Sequence, residues 1–191
     1  MRRRRRALRL AAVVLGLGLL LALVVRWPGS LPDLSRYDAD IEAAARQHGV
    51  EADLVRGVVA AESSGEASAA SPAGALGLMQ LMPATAREEA QRQGLPEPAP
   101  RDLLLNTRLN LQLGTGYLGR LLKRFEGEVA YALAAYNAGA TNVARWRQRA
   151  PGLAPAEVVQ REGFAETRAY VKRVQSFRDR YRAQREEREQ R

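Results

Sequence analysis

The chain has 191 residues, a formal net charge of +9, one histidine (His48) and no cysteine. These counts exclude a disulfide scaffold, a thiol nucleophile, a cysteine-based zinc site and a multi-histidine metal centre. The charge is terminal: residues 1–26 carry +7, residues 27–177 carry none and residues 178–191 carry +2, so nothing in the composition calls for a basic face that would bind nucleic acid.

Leu10 to Val25 holds no charged or strongly polar residue, and five arginines, Arg2 to Arg6, stand close before it. A helix over Ala7 to Trp27 would be about 31 Å long, enough to cross a bilayer with Arg9 and Arg26 snorkelling to its faces. No small-x-small cleavage site follows the apolar run, so it reads as an uncleaved transmembrane anchor, with a cleaved export signal as the alternative. The positive-inside rule puts residues 1–6 in the cytoplasm and the rest of the chain outside. Residues 1–27 are thus the arginine cluster and anchor, and residues 28–36, with Pro28, Gly29 and Pro32, a linker.

From residue 37 to 182 the pattern is helical. Tyr37, Ile41, Ala44, Ala45 and His48 share one face, and Gly49 is a C-terminal stop. Leu54, Val55, Val58, Val59 and Glu62 form the next periodic run, ending near Ser63 to Gly65. Pro83 opens a short helix to about Arg92, and Gly94 to Pro100 is a loop. Asn106 caps a long helix through Leu109, Leu113, Tyr117, Leu121 and Phe125. Helices over 129–136, 141–149 and 166–188 complete the series, with residues 183–191 a charged tail. No segment alternates with period two over strand length. The fold class is all-α, one helical domain behind a single N-terminal transmembrane helix.

Four features stand out against this background. Glu62 ends an apolar run, where partial desolvation would favour the protonated form that a general acid needs; the bland alternative is a surface glutamate at a helix end. Ser71 to Pro83 combines Gly74 and Gly77 with Met79, Gln80 and Met82, either a wall that approaches a ligand closely or a tight turn over core methionines. Ala134 to Gly139 presents Tyr136 and Asn137 at a helix end, as ligand-binding groups or as a cap with a buried tyrosine. Glu166 and Tyr170 share a face at the start of the last helix, where Glu166 would also suit the helix dipole.

Taken in order, Glu62-Ser63, Gly77-Leu-Met-Gln80, Ala135-Tyr-Asn-Ala-Gly139 and Glu166-Thr-Arg-x-Tyr170-Val resemble the catalytic domain of the soluble lytic transglycosylases, the SLT domain, over about residues 38–182. The resemblance implies a lysozyme-like helical fold that cleaves peptidoglycan between N-acetylmuramic acid and N-acetylglucosamine. It makes Glu62 the single catalytic acid and base. It puts Ser63 beside the acid, and Ser71, Met79 and Gln80 along the sugar cleft. Tyr136 and Asn137 would stand close to the acid, and Glu166 and Tyr170 would line the subsites. One departure is Gly65-Glu66-Ala67, where the family has an aromatic residue, a polar one and proline.

The resemblance also implies a glycan strand as partner and no metal or organic cofactor; the N-terminal segment and the positive-inside rule give a bacterial inner-membrane location with the catalytic domain in the periplasm, with export after signal cleavage as the alternative. A second carboxylate, as most glycosidases use, could come only from Glu66 or Glu166, and neither fits the role in the family. The expected reaction therefore proceeds on one carboxylate and leaves a 1,6-anhydromuramoyl end. The alternatives are a hydrolytic lysozyme of goose-type kind and a non-catalytic peptidoglycan-binding component of an envelope machine.

Overall fold

The computed structural model describes residues 30–191. The predicted anchor at residues 7–27 lies outside them, and among the described residues no helix is long and apolar enough to cross a membrane. Among the described residues, a 3-10 turn at Ser35–Tyr37 is followed by nine helices: α1 (Asp38–His48), α2 (Ala52–Ser63), α3 (Pro83–Arg92), α4 (Pro100–Leu105), α5 (Thr107–Arg124), α6 (Val129–Ala138), α7 (Ala140–Arg149), α8 (Pro155–Glu162) and α9 (Ala165–Glu189). Extended pairing among the described residues is limited to two isolated bridges, Ala70 with Leu76 and Leu76 with Leu81.

The local chemistry that starts and stops these helices is visible. Gly49 ends α1 at φ 65°. Pro83 occupies the first turn of α3, and the Asn106 side chain accepts from Leu109 N at 2.9 Å to cap α5. Two short helices were not foreseen, α4 and α8. Each starts on a proline and folds an acid back onto the backbone before it: Asp102 accepts from Ala99 N at 2.8 Å and Glu157 from Ala154 N at 3.2 Å.

The main core lies between α1, α2, α5, α6 and α9 and includes Ile41, Leu54, Val58, Leu118, Leu133 and Val174. A smaller cluster of Leu81, Ala86, Ala90, Leu103 and Leu113 joins α3 and α4 to α5. The most extensive helix pair is α2 against α9, running antiparallel. A Cβ at Gly57 would sit 2.8 Å from Val174 O, so only glycine lets the two backbones approach this closely. Glu51, at the start of α2, receives Arg178 and Arg182 of α9.

Within the segment expected as a linker, Leu34 is buried in the core, and Tyr181 Oη donates to Pro32 O at 2.7 Å. Leu34 also bears on the Gly65 departure. A Cβ at Gly65 would meet Leu34 Cδ2 at 2.7 Å, so Leu34 takes the space a side chain at 65 would enter. Arg36 Nη2 and Tyr37 Oη both donate to Gly65 O, at 3.1 and 3.3 Å. The turn after Ser63 is thus packed from the N-terminal side of the chain.

Candidate active site

Glu62 stands in the last turn of α2, partly buried. Burial pushes its pKa from an ordinary 4.5 up to about 7, against the opposing influence of the Tyr170 hydroxyl and the Arg173 charge; the Glu166 charge adds to the rise. Tyr170 comes from the second turn of α9 and is 2% exposed. Its hydroxyl lies near enough to Glu62 to act on the carboxyl, yet the contact falls short of full hydrogen-bond geometry and no other protein atom takes the hydroxyl. Burial and the nearby Glu62 charge both hold Tyr170 neutral, well above the ordinary phenol range.

The wall facing the acid is the loop Leu76–Leu81, and it is tied down from several sides. Ser63 Oγ donates to Leu78 O at 2.9 Å, with Val59 O as a second acceptor at 3.2 Å. Asn110 of α5 is fully buried and makes three hydrogen bonds: Oδ1 accepts from Met79 N at 2.9 Å, and Nδ2 donates to Leu76 O at 2.9 Å and Leu103 O at 3.1 Å. Tyr136 Oη donates to Met79 O at 2.8 Å. Gly77 sits at φ 76°, where a Cβ would lie 2.3 Å from Asn110 Nδ2. Gln80 adopts the left-handed φ of 45°, and its Nε2 donates to Ala69 O and Gly77 O, both at 3.0 Å. Only the Gln80 carbonyl oxygen is left for a ligand.

These contacts redistribute the roles read from the sequence. Ser63 and Tyr136 spend their hydroxyl protons on the loop backbone. Ser71 Oγ accepts from Ala75 N at 3.0 Å in a closed turn beside the loop. Met79, expected along the cleft, is instead fully buried: it packs on Gly114, where a Cβ would come within 2.5 Å of its sulfur. The methionine that reaches solvent is Met82, 43% exposed. Asn137 is exposed, and its Oδ1 accepts from Thr167 Oγ1 at 2.7 Å, which leaves its Nδ2 as a free-facing donor. Glu166 is exposed in the first turn of α9.

Two further residues belong to this region. Tyr117 of α5 lies 5.2 Å from Tyr136, centroid to centroid, in a tilted pair that extends the aromatic surface outward; in the sequence it stands only as one residue of the periodic run of that helix. Asn110 left no signal, because its partners lie 7 to 34 residues away. Of the possible second carboxylates, Glu66 accepts from Ser68 N and Ser68 Oγ at 3.1 and 2.6 Å, closing a local turn. Among the described residues no group of three His, Cys, Asp or Glu could hold a metal. A cavity of about 420 Å³ opens elsewhere, between Leu31–Ser35 and Tyr181–Arg188, and none of the predicted site residues lines it.

Comparison with known proteins places this geometry. Residues 40–159 match the family model described as the transglycosylase SLT domain. The chain is 37% identical over 117 residues to the soluble lytic murein transglycosylase of Salmonella typhimurium, covering 61% of this chain and 18% of that one. It is 30% identical over 167 residues to the membrane-bound lytic murein transglycosylase C of Cronobacter sakazakii, covering 77% and 46%. It therefore spans less than half the length of each. The crystal structure of an inactive mutant of the lytic transglycosylase Slt from Pseudomonas aeruginosa superposes with a TM-score of 0.73 at 31% identity, over 83% of this chain and 26% of that one. By the extent of the family match and by a fold shared at this identity, the chain belongs to the SLT transglycosylase family.

Proposed function

We propose that this chain is a lytic transglycosylase that cuts the β-1,4 bond between N-acetylmuramic acid and N-acetylglucosamine in peptidoglycan without using water. The observation that carries this reading is Glu62: a partly buried carboxyl with a pKa of about 7, held at the loop wall and faced by a neutral tyrosine. At neutral pH about half of such groups are protonated, so Glu62 can act first as acid and then as base. The named activity of the relatives supports the same reaction.

In the first step, neutral Glu62 gives its proton to the glycosidic oxygen as the bond to muramic C1 breaks. The positive charge growing at C1 is relieved by the substrate's own N-acetyl oxygen. Asn137 is the better group to orient that acetamide, because the Tyr136 hydroxyl already donates its hydrogen bond to Met79 O and Asn137 keeps Nδ2. In the second step, the Glu62 carboxylate removes the proton of the C6 hydroxyl, whose oxygen attacks C1 and closes the 1,6-anhydro ring. Proton and bond counts balance, and Glu62 ends as it began. Ser63, Ser71, Gln80, Glu166 and Tyr170 shape and tune the cleft in this scheme.

Glu62→Gln should abolish turnover and leave folding and glycan binding intact; a fully active variant would overturn the assignment. Mass spectrometry of the muropeptide products should find anhydro ends. Products heavier by one water would make the enzyme a hydrolytic lysozyme, and binding without cleavage by the wild type would make it a peptidoglycan-binding component.

We place the domain outside the cytoplasmic membrane, held by residues 7–27. The +7 charge on residues 1–26 and the apolar run support this, as does the membrane-bound relative. Deleting residues 1–27 should release the enzyme from membranes and leave its activity on purified peptidoglycan in place.

A further inference from the structure

The cavity of about 420 Å³ lies at the far end of the α2–α9 pair from the acid. Asp53, in its wall, stands nine residues before Glu62 on α2, about 14 Å along the helix axis. Its frame is fixed, because Leu34 is buried and Tyr181 Oη donates to Pro32 O at 2.7 Å.

Six charged residues line the cavity, three of each sign, and they form two sets. The inner set closes on itself. Arg56 Nη1 donates to Asp53 Oδ1 at 2.9 Å, and Arg56 Nε and Nη2 donate to Asp38 Oδ1 at 3.1 and 3.0 Å. Arg185 Nε donates to the second oxygen of the buried Asp53 at 3.2 Å. The outer set is open. Arg188 is exposed and gives no hydrogen bond to a described residue, and Arg185 keeps Nη2 after Nη1 has gone to Glu189. Asp38 keeps Oδ2, and the hydrogen bonds to Asp33 come from Ser35 alone. The open cations therefore stand on α9 and the open carboxylates on residues 33–38.

Such a cavity has no net charge with which to attract a simple anion or a simple cation. It suits a ligand that carries both: a phosphate for the guanidinium groups, and a primary ammonium whose N–H groups reach the carboxylates. The chain limits which ligands are in reach. Only residues 28–30 separate Leu31 from Trp27, the end of the expected anchor, so the cavity wall begins within about 14 Å of chain from it. Molecules that bear phosphate and ammonium together at a membrane face are phospholipids.

We propose that this cavity binds the phosphoethanolamine headgroup of a membrane phospholipid, with Arg188 and Arg185 on the phosphate and Asp33 and Asp38 on the ammonium. This rests on the reading of residues 7–27 as an anchor. Occupation fastens the domain at the end of α2 opposite to Glu62.

The full chain should be placed in detergent micelles with equal amounts of phosphatidylethanolamine, phosphatidylcholine and phosphatidylglycerol, and the retained lipid counted by native mass spectrometry. The choline headgroup has no N–H to donate and the glycerol headgroup has no cation. The wild type should keep the ethanolamine lipid about fivefold over either, the scale of one hydrogen bond. Asp33→Asn should reduce that lipid to the level of the choline one, and Arg188→Gln should lower all three alike. Both variants should cut purified peptidoglycan as fast as the wild type. Equal retention of the three lipids by the wild type, an excess of the glycerol lipid, or variants that retain lipid as the wild type does would overturn the proposal. Binding of soluble glycerophosphoethanolamine without any lipid preference would assign the cavity to a free zwitterion and overturn it too. A chain that needs detergent yet ignores all three lipids would overturn the headgroup site alone. A chain that stays in solution without detergent and ignores them would overturn the anchor reading as well.

Discussion

The Glu62 carboxyl and the Tyr170 hydroxyl meet where two antiparallel helices, α2 and α9, bring a helix end against a helix beginning. The tyrosine is buried and its hydroxyl has no other hydrogen-bond partner among the described residues, so the hydroxyl's effect is directed at one group. That group is the one to which the proposed reaction assigns both proton transfers.

The raised pKa of Glu62 has a consequence for stability. The unfolded chain ionises this carboxyl near 4.5 and the folded chain near 7. Between these values the native state holds a proton that the unfolded state has lost, so this group's contribution to stability falls as pH rises. Above about 7 both states are ionised and the fold bears the full cost, about 3 kcal/mol. The melting temperature of the wild type, measured against Glu62→Gln, should therefore decline from pH 4.5 to pH 7 and run parallel to it above that. A difference independent of pH would contradict the shift.

Tyr170→Phe removes the influence that draws the Glu62 pKa downward. The alkaline limb of the kcat profile should move to higher pH. Because the hydroxyl makes no full hydrogen bond, stability should change by less than about 1 kcal/mol. A limb that stays in place, or moves to lower pH, would show that the hydroxyl does not act on the acid.

The two methionines of the loop should separate cleanly. Met79→Ala empties a fully buried site and should cost about 2–5 kcal/mol in urea titrations. Met82→Ala should cost under about 1 kcal/mol, as an exposed side chain, and act instead by raising KM for glycan strands. The reverse pattern would return Met79 to the cleft.

Asn110→Asp is nearly isosteric, but a carboxylate can keep only the bond from Met79 N. The carbonyls of Leu76 and Leu103 would lose their donor and face a buried negative charge. A stability loss of about 3 kcal/mol or more is expected, together with a lower kcat as the wall loosens. Calorimetry and strand-cleavage kinetics on the same preparation would test both.

How far the sequence reveals this molecule depends on the range of the interactions involved. Pro83, Asn106 and Gly49 act on their own helix ends and could be read directly. The helices α4 and α8 were hidden because each is short and follows a loop rich in turn residues, although Asp102 and Glu157 two positions after a proline were a usable sign. The apolar run before Glu62 equally suits a surface glutamate at a helix end, and it is the ordered motifs around it that single it out. Met79 and Met82 were not separable, because both lie in one apolar stretch and only the approach of Gly114 decides which is enclosed. Asn110 and the Asp53–Arg185 pair join segments distant in the chain, and no local pattern announces them.

The contact between α2 and α9 also limits what insertions or deletions this helix can tolerate. It is held at its first residues by Glu51 against Arg178 and Arg182, at its middle by Gly57 against Val174, and at its last turn by Glu62 near Tyr170. The acid is thus registered from a point about 16 Å away along the helix. Adding or removing one residue between Glu51 and Glu62 would turn the carboxyl by about 100° and take it off its tyrosine. Length variation should therefore be rejected within 51–62 and accepted in a loop such as 94–99, making the spacing from ion pair to acid a ruler built into the chain.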